Sequence, residues 1–524
     1  MDDIPPQARS TVHTVEVAVV GAGFSGLGMG VRLKQAGIDD FVLLERAKDV
    51  GGTWRDNSYP GATCDIPSLL YSFSFFPNPR WSRSFSTQPE IHDYLRRSVD
   101  VFGLGPHLRL RHKVREAVWD EPAARWRVRV ASPLGETVYR ARFLVSATGP
   151  LSFPAVPDLP GLTEFRGPVF HSSRWNHEVD LTGRRVAVVG TGASAIQVVP
   201  AIQPRVARLD LYQRTAPWVI PRHDRTLTRI EHDLYSRLPV VQQLVRQALF
   251  WSRESYVLGF VGGHAHIQKA LQGLALRHLS RGVADPELRE RLTPDFAFGC
   301  KRVLLSNDYY PAVAAANVDL ITDGIAEVGA DTVVCRDGTE RRTDAIVLCT
   351  GFRTTDLPMT HGIIGRGEQR LSEAWAKGMR AHQGVMVSGF PNLFFTIGPN
   401  SGLPHSSMTL VLEAQIRYAV DCIAQMRDRS IADIEVLPQT EAAYNARLQR
   451  RMSDSVWTTG GCTSWYLDPR TGTNTTLWPD YTWRFQRMNR AFSPAGHRAR
   501  PLGQLPPAAD AGGVLQESGA PGEV

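Results

Sequence analysis

The pattern that most restricts this chain is a unit of buried strand, glycine turn, helix and second strand, and it occurs twice. The first copy runs Val15-Glu-Val-Ala-Val-Val20, Gly21-Ala-Gly23-Phe-Ser25-Gly26, a helical stretch to Lys34, and Phe41-Val-Leu-Leu-Glu45. In such a unit Gly21 permits the tight turn and Gly23 lets backbone approach a pyrophosphate at the helix N-terminus. Gly26 lets helix and strand pack closely, and Glu45 stands where an acid accepts from a ribose hydroxyl. The second copy is Arg185-Val-Ala-Val-Val, Gly190-Thr191-Gly192-Ala193-Ser194-Ala195-Ile196, and Arg208-Leu-Asp-Leu-Tyr-Gln-Arg214-Thr215. Arg214 and Thr215 replace the acid, which suits a 2′-phosphate and therefore NADPH over NADH. Two such units predict an α/β fold with two dinucleotide-binding, Rossmann-like domains.

The remaining stretches fill in that frame. Gly51-Gly-Thr53-Trp54 to Tyr59-Pro-Gly61-Ala-Thr63-Cys-Asp65, followed by Tyr71, crowds glycines, aromatics and a carboxylate into one loop that backbone and rings can press against a flat cofactor. Phe165-Arg-Gly-Pro-Val-Phe-His171-Ser-Ser-Arg-Trp175-Asn176 lies between the two units, and its Gly-Pro pair marks a linker that couples them. Helical spacing over 225–296, broken at Gly262-Gly263, predicts a helical insertion whose apolar face packs, lines a pocket or rests on a membrane surface. Lys301 and Arg302 precede an apolar strand-like run, and Ser406 or Ser407 is a suitable N-cap for a helix beginning at Met408. The expected organisation is a first domain in two segments, 12–152 and 380–500, and a second in two segments, 153–224 and 297–379. The insertion occupies 225–296, and a Pro-, Gly- and Ala-rich tail over 501–524 is expected to be disordered.

Composition excludes several classes. With 524 residues and 43% hydrophobic content the chain is long enough for two or three cores. The net charge of +7 rests almost wholly on Arg, since only six of 59 basic residues are Lys, and no dense basic run interleaved with aromatics indicates nucleic acid. The six cysteines, at 64, 300, 335, 349, 422 and 462, show no Cys-x-x-Cys spacing, so neither a metal site nor a disulfide framework is expected. The acidic start lacks the order of a signal peptide and no long apolar run is present, which predicts a cytoplasmic protein without an integral membrane segment.

Taken together, the two turns, the linker with Gly167, His171 and Trp175, and the Gly51–Asp65 motif resemble the class B flavoprotein monooxygenases, specifically the type I Baeyer-Villiger monooxygenases. The motif [Ala/Gly]-Gly-x-Trp-x4-[Phe/Tyr]-Pro-Gly-x3-Asp is met in full, and the likeness extends from about Val15 to Phe492. Asn176 departs from the Pro or Asp usual after the linker Trp, while Trp175 itself separates this group from the related flavin-containing monooxygenases. The resemblance implies FAD in the first domain, contacted by Ser25, Glu45, Thr53, Trp54, Asp65 and Tyr71, with Val114 and Met408 at matching outlying positions. It implies NADPH in the second. There the pyrophosphate meets the turn from Gly190 to Ile196, the 2′-phosphate meets Arg214, Thr215 and Lys301, and the nicotinamide end meets Thr63 to Asp65, Arg302 and Trp465.

The reaction so implied is insertion of one oxygen atom of O2 beside a small-molecule ketone carbonyl, by way of a C4a-peroxyflavin, to give an ester or lactone. Arg302 and Asp65 are the expected catalytic pair, the first stabilising developing oxyanions and the second orienting it. His171 is expected to tune domain movement and not to perform chemistry. Three alternatives differ in what they need. Electrophilic oxygenation of sulfur or nitrogen on the same fold does not need Arg302. A disulfide reductase needs a close cysteine pair near the flavin, which the spacing does not supply. A non-catalytic flavoprotein sensor binds FAD without NADPH turnover.

Overall fold

The computed structural model describes residues 11–505, apart from Gly263 and Asp356. Two sheets organise it. In the first, Leu108–Leu110, Phe41–Glu45, Thr11–Val20, Gly135–Ser146 and Leu393–Phe395 run parallel in that order, and all five residues of Phe41–Glu45 are buried. That apolar run has the composition of a strand covered on both faces. On the Gly135–Ser146 side an antiparallel meander adds Arg125–Ser132 and Lys113–Asp120, whose alternating exposure gives the edge sheet expected there. The second sheet is wholly parallel, in the order Val318–Ile321, Arg208–Tyr212, Arg185–Val189, Ala345–Leu348 and Val169–His171.

Register places both glycine turns at the carboxyl edge of their sheets. Val20 pairs with Leu44, which sets Gly21 beside Glu45, and Val189 pairs with Tyr212, which sets Gly190 beside Gln213, one residue before Arg214. This is the crevice in which open α/β sheets bind nucleotides.

The stretch expected to be a linker is in part a strand. Val169–His171 closes one edge of the second sheet, and His171 is buried there. Its Nδ1 accepts from the Ser173 amide at 3.1 Å and its Nε2 donates to the Gly351 carbonyl at 2.9 Å. Burial lowers its pKa, so the ring is a neutral, satisfied structural group. Trp175 packs edge-on against Phe170 at 4.9 Å.

Residues Arg229–Arg237, Pro239–Glu254, Ala265–Gly282 and Pro286–Arg291 are helical, as the spacing predicts for the insertion. The helix Pro239–Glu254 docks on the first domain's loops, where Gln242 donates to the Asn78 carbonyl at 2.7 Å and Arg246 to that of Leu69 at 2.6 Å. Its opposite face leaves Leu244 and Trp251 exposed. Among the described residues no helix is long and apolar enough to cross a membrane.

The end of the chain departs from the expected disorder. His497–Pro501 pairs antiparallel with Ile431–Val436 and a turn follows over Leu502–Gln504, because the Leu502 amide finds the Ser430 carbonyl at 2.8 Å. Residues 506–524 lie outside the described part, as do 1–10.

Beside this strand pair His382 is buried between the rings of Tyr444 and His497, with Arg447 also in range. Burial, reinforced by those two cations, lowers its pKa from 6.5 to about 4. The unfolded chain therefore takes up a proton that the folded chain refuses in that interval, and stability falls as pH drops from about 6.5 towards 4. We expect His382 to contribute about 2 kcal/mol of this loss by pH 5. Thermal unfolding at pH 7.5 and pH 5 should show a smaller acid-induced drop for His382→Leu than for the parent; equal drops would remove His382 from the account.

Candidate active site

The two domains meet at an ion pair. Asp65 ends the glycine-rich loop of the first domain, and Arg302 precedes the short strand Leu304–Leu305 that pairs with Val219–Ile220 of the second. Nε of Arg302 lies 2.8 Å and Nη2 2.6 Å from the same oxygen, Oδ2 of Asp65. Nη1 is left with its donors unused among the described residues. Burial disfavours the charged guanidinium, but Asp65 outweighs it and holds the pKa above the ordinary arginine value. Tyr466 lies within charge–charge range of the pair. It is 1% exposed, its hydroxyl has no hydrogen-bond partner among the described residues, and burial pushes its pKa up to about 12. It is therefore a protonated donor near the pair.

The loop carrying Asp65 is fixed from both domains. Gln197, on the helix Ala195–Ile202 of the second domain, accepts from the Tyr59 hydroxyl at 3.0 Å and the Thr63 amide at 3.2 Å, and donates to the Thr63 carbonyl at 3.1 Å. Arg222 donates to Thr63 Oγ1 at 2.8 Å and to the Cys64 carbonyl at 3.2 Å. These contacts set Thr63, Cys64 and Asp65 without using the Asp65 carboxylate.

The two glycine turns are geometrically equivalent. Gly21 has φ +108 and Gly190 φ +106, and a Cβ would stand 2.6 Å from the Ala147 carbonyl oxygen in one and 2.5 Å from that of Cys349 in the other. Only glycine fits either turn. In the first, Gly23 faces the backbone of Gly52, and Ser25 and Gly26 lie in the opening turn of the helix Phe24–Gln35. Glu45 accepts from the amides of Ala22 at 3.0 Å and Ala47 at 2.9 Å and pairs with Arg55 at 3.0 Å, which leaves one acceptor position for a hydroxyl. Thr53 and Trp54 begin the short helix Thr53–Asp56, and Trp54 Nε1 donates to the Tyr71 hydroxyl at 3.0 Å. Val114 is half-buried on the meander. Met408 opens the helix Met408–Asp428, whose cap is Ser407, accepting from the Thr409 amide at 3.3 Å. These features fit FAD: a turn for pyrophosphate, an acid for ribose, and an aromatic pair beside the Asp65 loop.

In the second turn Thr191 is anchored to the Thr215 carbonyl at 2.9 Å, while Gly192 and Ala193 are exposed, Ser194 is half-exposed, and Ala195 and Ile196 are buried. Arg214 is exposed and makes no ion pair among the described residues. Lys301 lies over the Phe296 ring at 4.8 Å, and its pKa is lowered by burial and by Arg214 nearby. Two cations held together without a bound carboxylate suit a phosphate, as NADPH requires. Trp465 is 43% exposed, and its ring is tilted against that of Tyr466 at 4.6 Å.

One expectation is overturned. The cysteines were expected to form no disulfide, but Cys300 and Cys462 are bonded, S–S 1.99 Å. They are 162 residues apart, a separation that carries no spacing signal, and meet only because the insertion's exit packs on the C-terminal loop. The bond ties the segment holding Lys301 and Arg302 to that holding Trp465 and Tyr466. A cysteine pair therefore does stand near the candidate site, contrary to the ground on which a disulfide reductase was set aside. Sequence reasoning also passed over Tyr466, Gln197 and Arg222, each placed by contacts across more than a hundred residues.

Comparison with known proteins decides among the flavoprotein classes. Residues 18–248 match the family model for pyridine nucleotide-disulphide oxidoreductases. The chain is 47% identical over 483 residues to a Baeyer-Villiger monooxygenase of Pseudomonas aeruginosa, covering 92% of this chain and 91% of that one. It is 50% identical over 482 residues to a Baeyer-Villiger monooxygenase of Streptomyces coelicolor, covering 91% of each. Among solved structures it is similar to OTEMO in complex with FAD and NADP, with a TM-score of 0.82, 26% identity, and coverage of 93% of this chain and 99% of that one. With both cradles and these relatives in hand, the chain belongs to the type I Baeyer-Villiger monooxygenases, NADPH-dependent flavoproteins that carry FAD.

Proposed function

We propose that this enzyme converts a small-molecule ketone and O2 to an ester or lactone, with Arg302 as the cation at the reacting centre and Asp65 as the residue that positions it. Bound FAD, reduced by NADPH, supplies the activated oxygen. The observation that carries the reading is the one-sided grip of Asp65 on Arg302, which holds the guanidinium still while leaving Nη1 to donate towards substrate oxygen. A donor fixed in this way stabilises negative charge that develops on oxygen without having to reorganise. Asp65 keeps Arg302 charged and balances it, so the site can bear one further negative charge. The loop contacts through Gln197 and Arg222 keep Asp65 in register with the second domain. Oxygenation of sulfur or nitrogen has no use for this fixed cation, and the arrangement favours the ketone reaction. A cytoplasmic setting, where NADPH is regenerated, accompanies this reading.

Arg302→Ala is expected to retain FAD, read from the flavin spectrum, and to lose about 100- to 1000-fold in ester formation. Ester production at the parent rate would sink the role, and thioether oxidation assayed in parallel would show whether the loss is confined to ketones. Lys301→Ala is expected to raise KM for NADPH about 10- to 100-fold with a far smaller effect on NADH, because only NADPH carries the 2′-phosphate. Equal effects on both coenzymes would place Lys301 elsewhere.

A further inference from the structure

The helix Pro239–Glu254 sets Arg246 and Arg253 two turns apart on one face. Arg246 is fully engaged: Nη1 donates to the carbonyls of Leu69 at 2.6 Å and Leu70 at 3.3 Å, and Nη2 to that of Ser72 at 3.1 Å. These residues follow closely on Asp65, so the row continues towards the site. Arg253 lies over the Tyr256 ring at 5.3 Å and within charge–charge range of Asp65 and Arg302. It makes no ion pair or hydrogen bond among the described residues. Its neighbour Glu254 cannot serve it, being 2% exposed and turned to His405 Nε2 at 3.4 Å and the Trp483 amide at 3.4 Å. Asp65 is already committed to Arg302.

A half-buried guanidinium with no ion pair of its own is destabilising, and here burial lowers its pKa although Asp65 lies in range. Such a group persists where a ligand completes it. The coenzyme phosphate is not that ligand, because the phosphate cations form a separate group: Lys301 interacts with Arg214 and Asp295, Arg253 with Asp65 and Arg302.

We propose that Arg253 is a substrate-recognition residue and that the preferred ketones are oxo-carboxylic acids, whose carbonyl meets Arg302 while the carboxylate pairs with Arg253. The proposal rests on the ketone reading above and deepens it. The helical insertion then supplies specificity and the ion pair between the domains supplies chemistry.

The test pairs short- and medium-chain oxo-carboxylic acids with their methyl esters. Binding is measured by calorimetry on the oxidised, FAD-loaded, NADP-bound enzyme, without turnover, and kcat/KM is measured separately. The parent should prefer each acid over its ester. Arg253→Met should cut the acid-to-ester ratio in both affinity and kcat/KM by about 10- to 100-fold, and Arg253→Lys should restore part of it. No acid preference in the parent, an equal loss for acid and ester, or a change confined to KM for NADPH would each overturn the proposal. If acids bind as expected but no ketone is oxidised, the ketone reading fails while the recognition role stands.

Discussion

Everything in the active site depends on one carboxylate oxygen gripping one guanidinium across two domains. Asp65 and Arg302 are 237 residues apart, and each sits on a segment with no regular secondary structure of its own. Neither segment can fix its side chain alone. Rigidity is imported: Gln197 and Arg222 staple the Asp65 loop to the second domain, and the Cys300–Cys462 bond staples the Arg302 segment to the C-terminal loop of the first. The ion pair is therefore held by contacts that cross between the domains.

The cofactor cradles are governed by a different constraint, which is steric. At Gly21 and Gly190 the backbone adopts a left-handed conformation and the following strand's carbonyl occupies the place of a side chain. The same collision repeats in both domains because both are the same unit, a buried strand feeding a helix through a turn that must pass under its neighbour. What distinguishes the two cradles is the end of the second strand, Glu45 in one and Gln213 followed by Arg214 in the other.

This difference in constraint explains what was legible before the structure. Steric demands leave glycine at fixed intervals within a few dozen residues, so the two sheets, their turns and the acid-for-arginine exchange were all visible locally. Contacts between distant segments leave no interval to find. Asp65 and Arg302 were paired only through family resemblance, while the Cys300–Cys462 bond was missed outright and Tyr466 was passed over. The linker misled for a related reason: its Gly-Pro pair marks a break in chain direction, but not that the three residues after it join an existing sheet edge.

The electrostatics of the assembled site follow from these placements. Arg302, Arg222 and Arg253 lie within charge–charge range of Asp65, which is already paired with Arg302, while Lys301 and Arg214 form a separate group. Like charges brought together in a partly dry cleft repel, and burial first, then Arg214 nearby, depresses the pKa of Lys301. Such a cleft stores unfavourable energy that anionic ligands release on binding, and its field attracts them from solution. Lys301 and Arg214 form one such group, suited in charge to the phosphates of NADPH. In the other, Arg302 keeps Nη1 unused and Arg253 makes no ion pair or hydrogen bond among the described residues, so positive charge beside Asp65 is left uncommitted.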